Sequence, residues 1–173
     1  MTNQKPELPN VGPVDLVLYH VGGDDGIGPI GAVLELVPNS TLVVFEIRDD
    51  ANPIVVQTAK ENQNFISIKV NRAVDERRGS RDFHITNQPK SSSLLKPSPM
   101  AKHEDPGFSF CQNWGQNTEI VKTVSVETSS LEQIIDELGL PPPDLISSDA
   151  QGAELGILRG AGRYLDTTLG IVT

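Results

Sequence analysis

Cysteine is almost absent: Cys111 is the single one in 173 residues. One thiol excludes an internal disulfide and cannot form a zinc site by itself, and it suits a reducing, cytoplasmic setting. Basic residues are also scarce, 14 against 23 acidic ones, for a formal net charge of −9. That balance argues against nucleic acid as a partner, because binding a phosphate backbone needs a clustered basic face. The one concentration of cations, Lys69, Arg72, Arg77, Arg78 and Arg81, is interrupted by Asp75, Glu76 and Asp82. It reads as a solvated turn. His20, His84 and His103 lie in separate contexts without ligand spacing, and consecutive His103, Glu104 and Asp105 seldom converge on one ion, so no metal is expected. No apolar run is long enough to cross a bilayer. The opening MTNQKPELPN lacks the apolar core of a signal peptide. No repeat and no linker divides the chain.

What remains is an ordinary globular composition, 37% hydrophobic and 21% charged, in a length that fits one domain with a real core. Residues 1–10 read as a loose lead-in and 11–173 as the domain. Val14 to Val21 is an apolar run of buried-strand length. It enters Gly22-Gly23-Asp24-Asp25-Gly26-Ile27-Gly28, after which Pro29 suits a first helical turn. Ile30, Val33, Leu34 and Val37 make one apolar helix face. Glycines let a backbone approach a ligand closely, and a helix start offers unpaired N–H groups. The same pattern also describes a plain tight turn. Leu42 to Phe45 is a second strand, ending at Glu46. An acidic residue about twenty positions beyond a glycine turn is placed to accept hydrogen bonds from both hydroxyls of a ribose.

Further along, Pro53 to Asn62 is predicted to be a helix capped by Asn52. Phe65 to Val74 suggests a third strand, Asp75 to Gly79 a turn, and Arg81 to Thr86 another strand. Residues 96–118 show no period and read as an irregular loop. Val121 to Glu127 alternates as a strand. Ser129 or Ser130 then caps a helix, with Glu132 or Gln133 completing the box. Leu131, Ile134, Ile135 and Leu138 form that helix's buried face, and Gly139 ends it. Pro141 to Pro143 lead stiffly into Leu145-Ile146-Ser147-Ser148-Asp149, a strand that turns polar at its end. Gln151 and Gly152 turn the chain into a predicted helix from Ala153 to Arg163, with Leu155, Leu158, Ala161 and Leu165 as its apolar positions. A carboxylate ending a strand before such a turn is laid out for ligand binding at a parallel sheet's carboxyl edge, or else for capping the helix.

The stretch Asp149-Ala150-Gln151-Gly152-Ala153-Glu154-Leu155, followed by Leu158-Arg159-Gly160-Ala161, resembles the signature of the FkbM-type methyltransferases. That family is a branch of the Rossmann-like enzymes using S-adenosyl-L-methionine. Weaker agreement runs back to the first strand. Phe45-Glu46 resembles its Phe-Glu-Pro, with Ile47 in place of proline. Ala73-Val74-Asp75-Glu76 with Gly79 and Phe83-His84-Ile85 resembles a family hairpin, and Ser91 to Leu95 resembles its Ser-Ser-Leu segment. The chain departs from the pattern at His20, where the family has an acidic residue before Val-Gly.

The resemblance implies a doubly wound α/β fold with a mostly parallel sheet and helices on both faces. It implies a cofactor held by Gly22, Gly23, Asp24, Gly26 and Glu46, with Asp75 and Glu76 near its adenine end. The implied reaction is methyl transfer, most naturally to a hydroxyl of a sugar or secondary metabolite. Asp149 is the candidate for orienting that hydroxyl or taking its proton. Glu154 is a second catalytic candidate that can instead brace the turn or pair with Arg159. The family also implies further strands after the one beginning near Leu169, so the chain reads as cut off there, with an edge that invites self-association. Two other readings stay open. One is a nicotinamide-dependent oxidoreductase, because the glycine loop and Glu46 also suit a dinucleotide. The other is a non-catalytic remnant of the methyltransferase fold.

Overall fold

The structure is a computed structural model that describes residues 16–22, 30–37, 39–47, 54–57, 66–98 and 113–173. Its first strand, β1 (Val17–Gly22), lies in the middle of a six-stranded sheet. The other strands are β2 (Thr41–Glu46), β3 (Ile54–Gln57), β4 (Ile66–Asn71), β8 (Leu145–Asp149) and β9 (Gly170–Val172), in the order β3-β4-β2-β1-β8-β9. All neighbours run parallel except β3, which is antiparallel to β4. This is the mostly parallel α/β sheet expected of a Rossmann-like fold.

Both faces of the central strands are buried, as a parallel sheet covered by helices requires. Val17, Tyr19 and Val21 point to one side, with Val43, Phe45, Ile68, Val70 and Ile146. That side is covered by α3 (Leu131–Leu138) and α4 (Glu154–Gly160). Leu18, Leu42 and Val44 point to the other, where Ile30 and Leu34 of α1 (Ile30–Leu36) cover them. The cap of α3 resolves to Ser130, whose hydroxyl accepts from the Gln133 N–H while the Gln133 side chain accepts from the Ser130 N–H. Gly139 closes the helix in a left-handed conformation, φ 69°. Among the described residues no helix is long and apolar enough to cross a membrane.

A second sheet has the order β5-β7-β6, from β5 (Ala73–Val74), β6 (Gly79–Thr86) and β7 (Ile120–Ser129). β5 pairs parallel and β6 antiparallel with β7. The single strand expected over 65–74 is thus two, parted at Arg72, because β5 leaves the main sheet to join β7.

Three expectations are corrected. The predicted helix from Pro53 contains β3, since Ile54-Val55-Val56 are stiff β-branched residues that favour a strand. The helix from Ala153 ends at Gly160, and a 3-10 helix over Gly162–Asp166 follows. Its buried face is also turned from the predicted one: Leu155 is 60% exposed and Ile157 is 1% exposed. Close packing sets that rotation, because a Cβ at Gly160 would stand 2.4 Å from the Asp75 carbonyl oxygen. Within the expected irregular loop of 96–118, Trp114–Asn117 forms a short helix, α2, while 99–112 lie outside the described residues.

Candidate functional site

The parallel registers bring the ends of four strands to one edge. Gly22 stands beside Asp149, Val21 beside Phe45, and Glu46 beside Asn71. A cavity of about 240 Å³ opens there, between the edge of the main sheet and the inner face of the second. Gly22, Glu46 and Asp149 all line it, so three of the predicted site residues converge. Gly23, Asp24 and Gly26 lie outside the described residues.

Gly22 has a physical reason to be glycine. Its φ is +89°, and a Cβ there would sit 2.4 Å from the backbone oxygen of Asp149. Only a residue without a side chain lets β1 and β8 approach this closely at their carboxyl ends. The floor of the cavity is apolar, from Val21, Phe45, Ala153 and Ile157. Its opposite wall is formed by Val74, Phe83, Ile85 and Leu94. Arg72, Lys90 and Ser93 add polar groups. The cavity therefore offers apolar surfaces to a flat ring and carboxylates to hydroxyls or a positive charge.

Asp149 does not cap α4. The N-cap is Ala153, with no side-chain cap bond, so the capping reading of Asp149 is set aside. Its Oδ1 accepts a hydrogen bond from the Gln151 side-chain amide at 2.7 Å, and its side chain is exposed. Gln151 holds a left-handed backbone, φ 54°, which is unusual for a residue other than glycine. Glu154 braces this turn: its Oε1 accepts from the Ala150 N–H at 2.9 Å. Arg159 pairs with Glu76 at 3.8 Å instead of with Glu154.

Asp75 and Glu76 are not brought to the cavity lining. Asp75 is buried, and its Oδ2 accepts from Arg81 at 2.6 Å while Oδ1 accepts from the Glu76 N–H at 2.8 Å. Its carboxylate is spent in the seam between the second sheet and α4, where a Cβ at Gly156 would stand 2.9 Å from Oδ1. Glu76 is exposed. His20 also lies away from the lining, buried in β1 with its Nδ1 3.3 Å from the Ser147 hydroxyl. Phe83, Ile85, Arg72, Lys90 and Ser93 had no predicted site role. The alternation of Phe83 and Ile85 along β6 was the available signal, but nothing local shows that this face meets the main sheet.

The fold is a mostly parallel α/β sheet of the Rossmann-like kind, with a cavity at the carboxyl ends of its strands. The profile of the Methyltransferase FkbM domain matches residues 25–172, and the chain belongs to that family. It is 29% identical over 161 residues to the 2-O-methyltransferase NoeI of Sinorhizobium fredii (strain NBRC 101917 / NGR234). The alignment covers 92% of this chain and 63% of that relative, so the chain spans less than two thirds of the relative's length. No solved structure matches the chain.

Proposed function

We propose that the chain is the cofactor-binding part of an S-adenosyl-L-methionine-dependent methyltransferase that acts on a hydroxyl group, of a sugar or of another small polyhydroxylated acceptor. The observation that carries this reading is the convergence of Gly22, Glu46 and Asp149 on one cavity at the carboxyl edge. The residues present fit the cofactor. Gly22 leaves backbone room that a Cβ would fill, Glu46 suits a pair of ribose hydroxyls, and Phe83, Ile85 and Leu94 suit a flat base. Family membership favours a methyl donor over a nicotinamide.

When bound, the cofactor supplies an electrophilic methyl on a sulfonium. The chain's own work would be to hold donor and acceptor next to each other in a fixed orientation. Asp149 would orient the acceptor hydroxyl and take its proton. Gln151 donates to Oδ1 and so holds the carboxylate in one orientation. Glu154 serves as the brace of the turn, and Asp75 and Glu76 have no part in the chemistry.

Titration calorimetry of the chain with S-adenosylhomocysteine and with NAD tests the reading. Saturable binding of S-adenosylhomocysteine, weakened on Glu46→Ala, is expected. Binding of NAD alone would replace the methyltransferase reading with an oxidoreductase one.

A further inference from the structure

Ser93 joins the two sheets at the point where the candidate proton acceptor is held. Its backbone pairs with the edge of β6, with His84 N–H donating to the Ser93 oxygen at 2.8 Å and Ser93 N–H to the His84 oxygen at 3.2 Å. Its side chain crosses to the turn after β8. The hydroxyl donates to the Ala150 oxygen at 2.8 Å, shared with the Gln151 oxygen at 3.2 Å, and accepts from the Leu95 N–H at 3.1 Å. Ser93 is 5% exposed, so water does not replace these bonds. Leu95 presses on the same turn, since a Cβ at Gly152 would stand 3.4 Å from its Cδ1.

The turn needs this support. Gln151 and Gly152 both have left-handed backbones, φ 54° and 101°. A glutamine keeps that conformation only where its surroundings enforce it. On one flank Glu154 holds the Ala150 N–H, and on the other Ser93 holds the two carbonyls. With the backbone so fixed, the Gln151 amide is aimed at Asp149 Oδ1.

We propose that Ser93 is a positioning residue for Asp149: through its hydroxyl the second sheet clamps the 149–152 turn, which sets the Gln151 amide on the carboxylate. The catalytic sense of this clamp rests on the proposed function, but its geometry is testable in the ligand-free chain. The experiment is NMR on isotope-labelled protein, following the Gln151 side-chain amide and backbone amide exchange. In Ser93→Ala the Gln151 side-chain signals move toward those of a free amide. The Ala150 amide exchanges about fivefold faster, the size expected from losing one net hydrogen bond, while Leu18 and Val43 in the central strands keep their rates. Ser93→Thr, which retains the hydroxyl, restores the Gln151 signals. If Ser93→Ala does not fold, Ser93→Cys fills the same space with a weaker donor and shows the same shift in part. Unchanged Gln151 signals in a folded Ser93 variant lacking the hydroxyl overturn the proposal, as does uniform acceleration across the central strands. A parent chain that binds no S-adenosylhomocysteine overturns the functional reading instead, and leaves this readout intact.

Discussion

Glu46 closes β2 beside Asn71, and its carboxylate reaches the cavity only because β2 is flanked by strands running the same way. Removing it in Glu46→Ala is expected to weaken S-adenosylhomocysteine binding by roughly 1.5–3 kcal/mol, the range for hydrogen bonds to a charged group. Calorimetry on the folded variant checks it, and unchanged affinity takes Glu46 out of the site. Asp149→Asn keeps size and can still accept from Gln151, but it no longer takes a proton. Turnover on a hydroxyl acceptor is expected to fall by about 10²–10⁴-fold with little change in cofactor affinity. Parental turnover would leave Asp149 without a chemical role. Tyr19 gives a third test. Burial, and secondarily Tyr164, push its phenol far above the usual range, and its O–H donates to the Pro141 oxygen at 2.8 Å. A folded-state value above the unfolded one means this stability is complete below about pH 10 and is lost as pH rises beyond it. Tyr19→Phe should therefore be less stable near neutral pH by about 1 kcal/mol, yet show a shallower alkaline loss in denaturant titrations. An equally steep loss would assign the alkaline transition to other groups.

At the scale of elements, the ends of β1 and β8 depend on a glycine. Gly22→Ala places a Cβ against the Asp149 backbone at a positive φ, and the two strand ends must separate. A destabilisation of roughly 2–4 kcal/mol is expected, from left-handed strain and overpacking together. Thermal unfolding and cofactor binding should fall together, and a variant of parental stability would show that the strand ends part without cost. The elements that were readable beforehand share a property: the residues that define them are near in sequence. The apolar run of β1, the Ser130–Gln133 box and Gly139 are of this kind. One failure lies where a distant partner chose the outcome: α4 buries Ile157 instead of Leu155 because Gly160 packs on Asp75, at the end of a strand of the second sheet, whereas β3 was missed although its own β-branched residues favour a strand.

For the molecule as a whole, the cavity is a joint between two sheets, so a ligand that fills it should hold both. S-adenosylhomocysteine at about a hundred times its Kd stabilises by roughly 2.7 kcal/mol, or about 5–10 °C in Tm for a chain of this size. Hydrogen exchange is expected to slow in β6, around Phe83 and Ile85, together with the 149–153 turn. Protection confined to the main sheet would mean that the second sheet is not a wall of the site.

Local sequence determined the strands that end in Glu46 and Asp149, the glycine at the end of β1, and the family that these residues mark. Each is legible because one short segment carries both the hydrophobic period and the polar group that interrupts it. Tertiary structure alone decided which of these ends meet. Asp75 follows an apolar strand just as Glu46 does, yet β5 pairs with β7, and the carboxylate turns to Arg81 instead of the cavity. Ser93 likewise gains its role from carbonyls 57 and 58 residues away. Nothing in a stretch of serines announces such a partner, because a hydrogen bond across two sheets exists only once both sheets have packed.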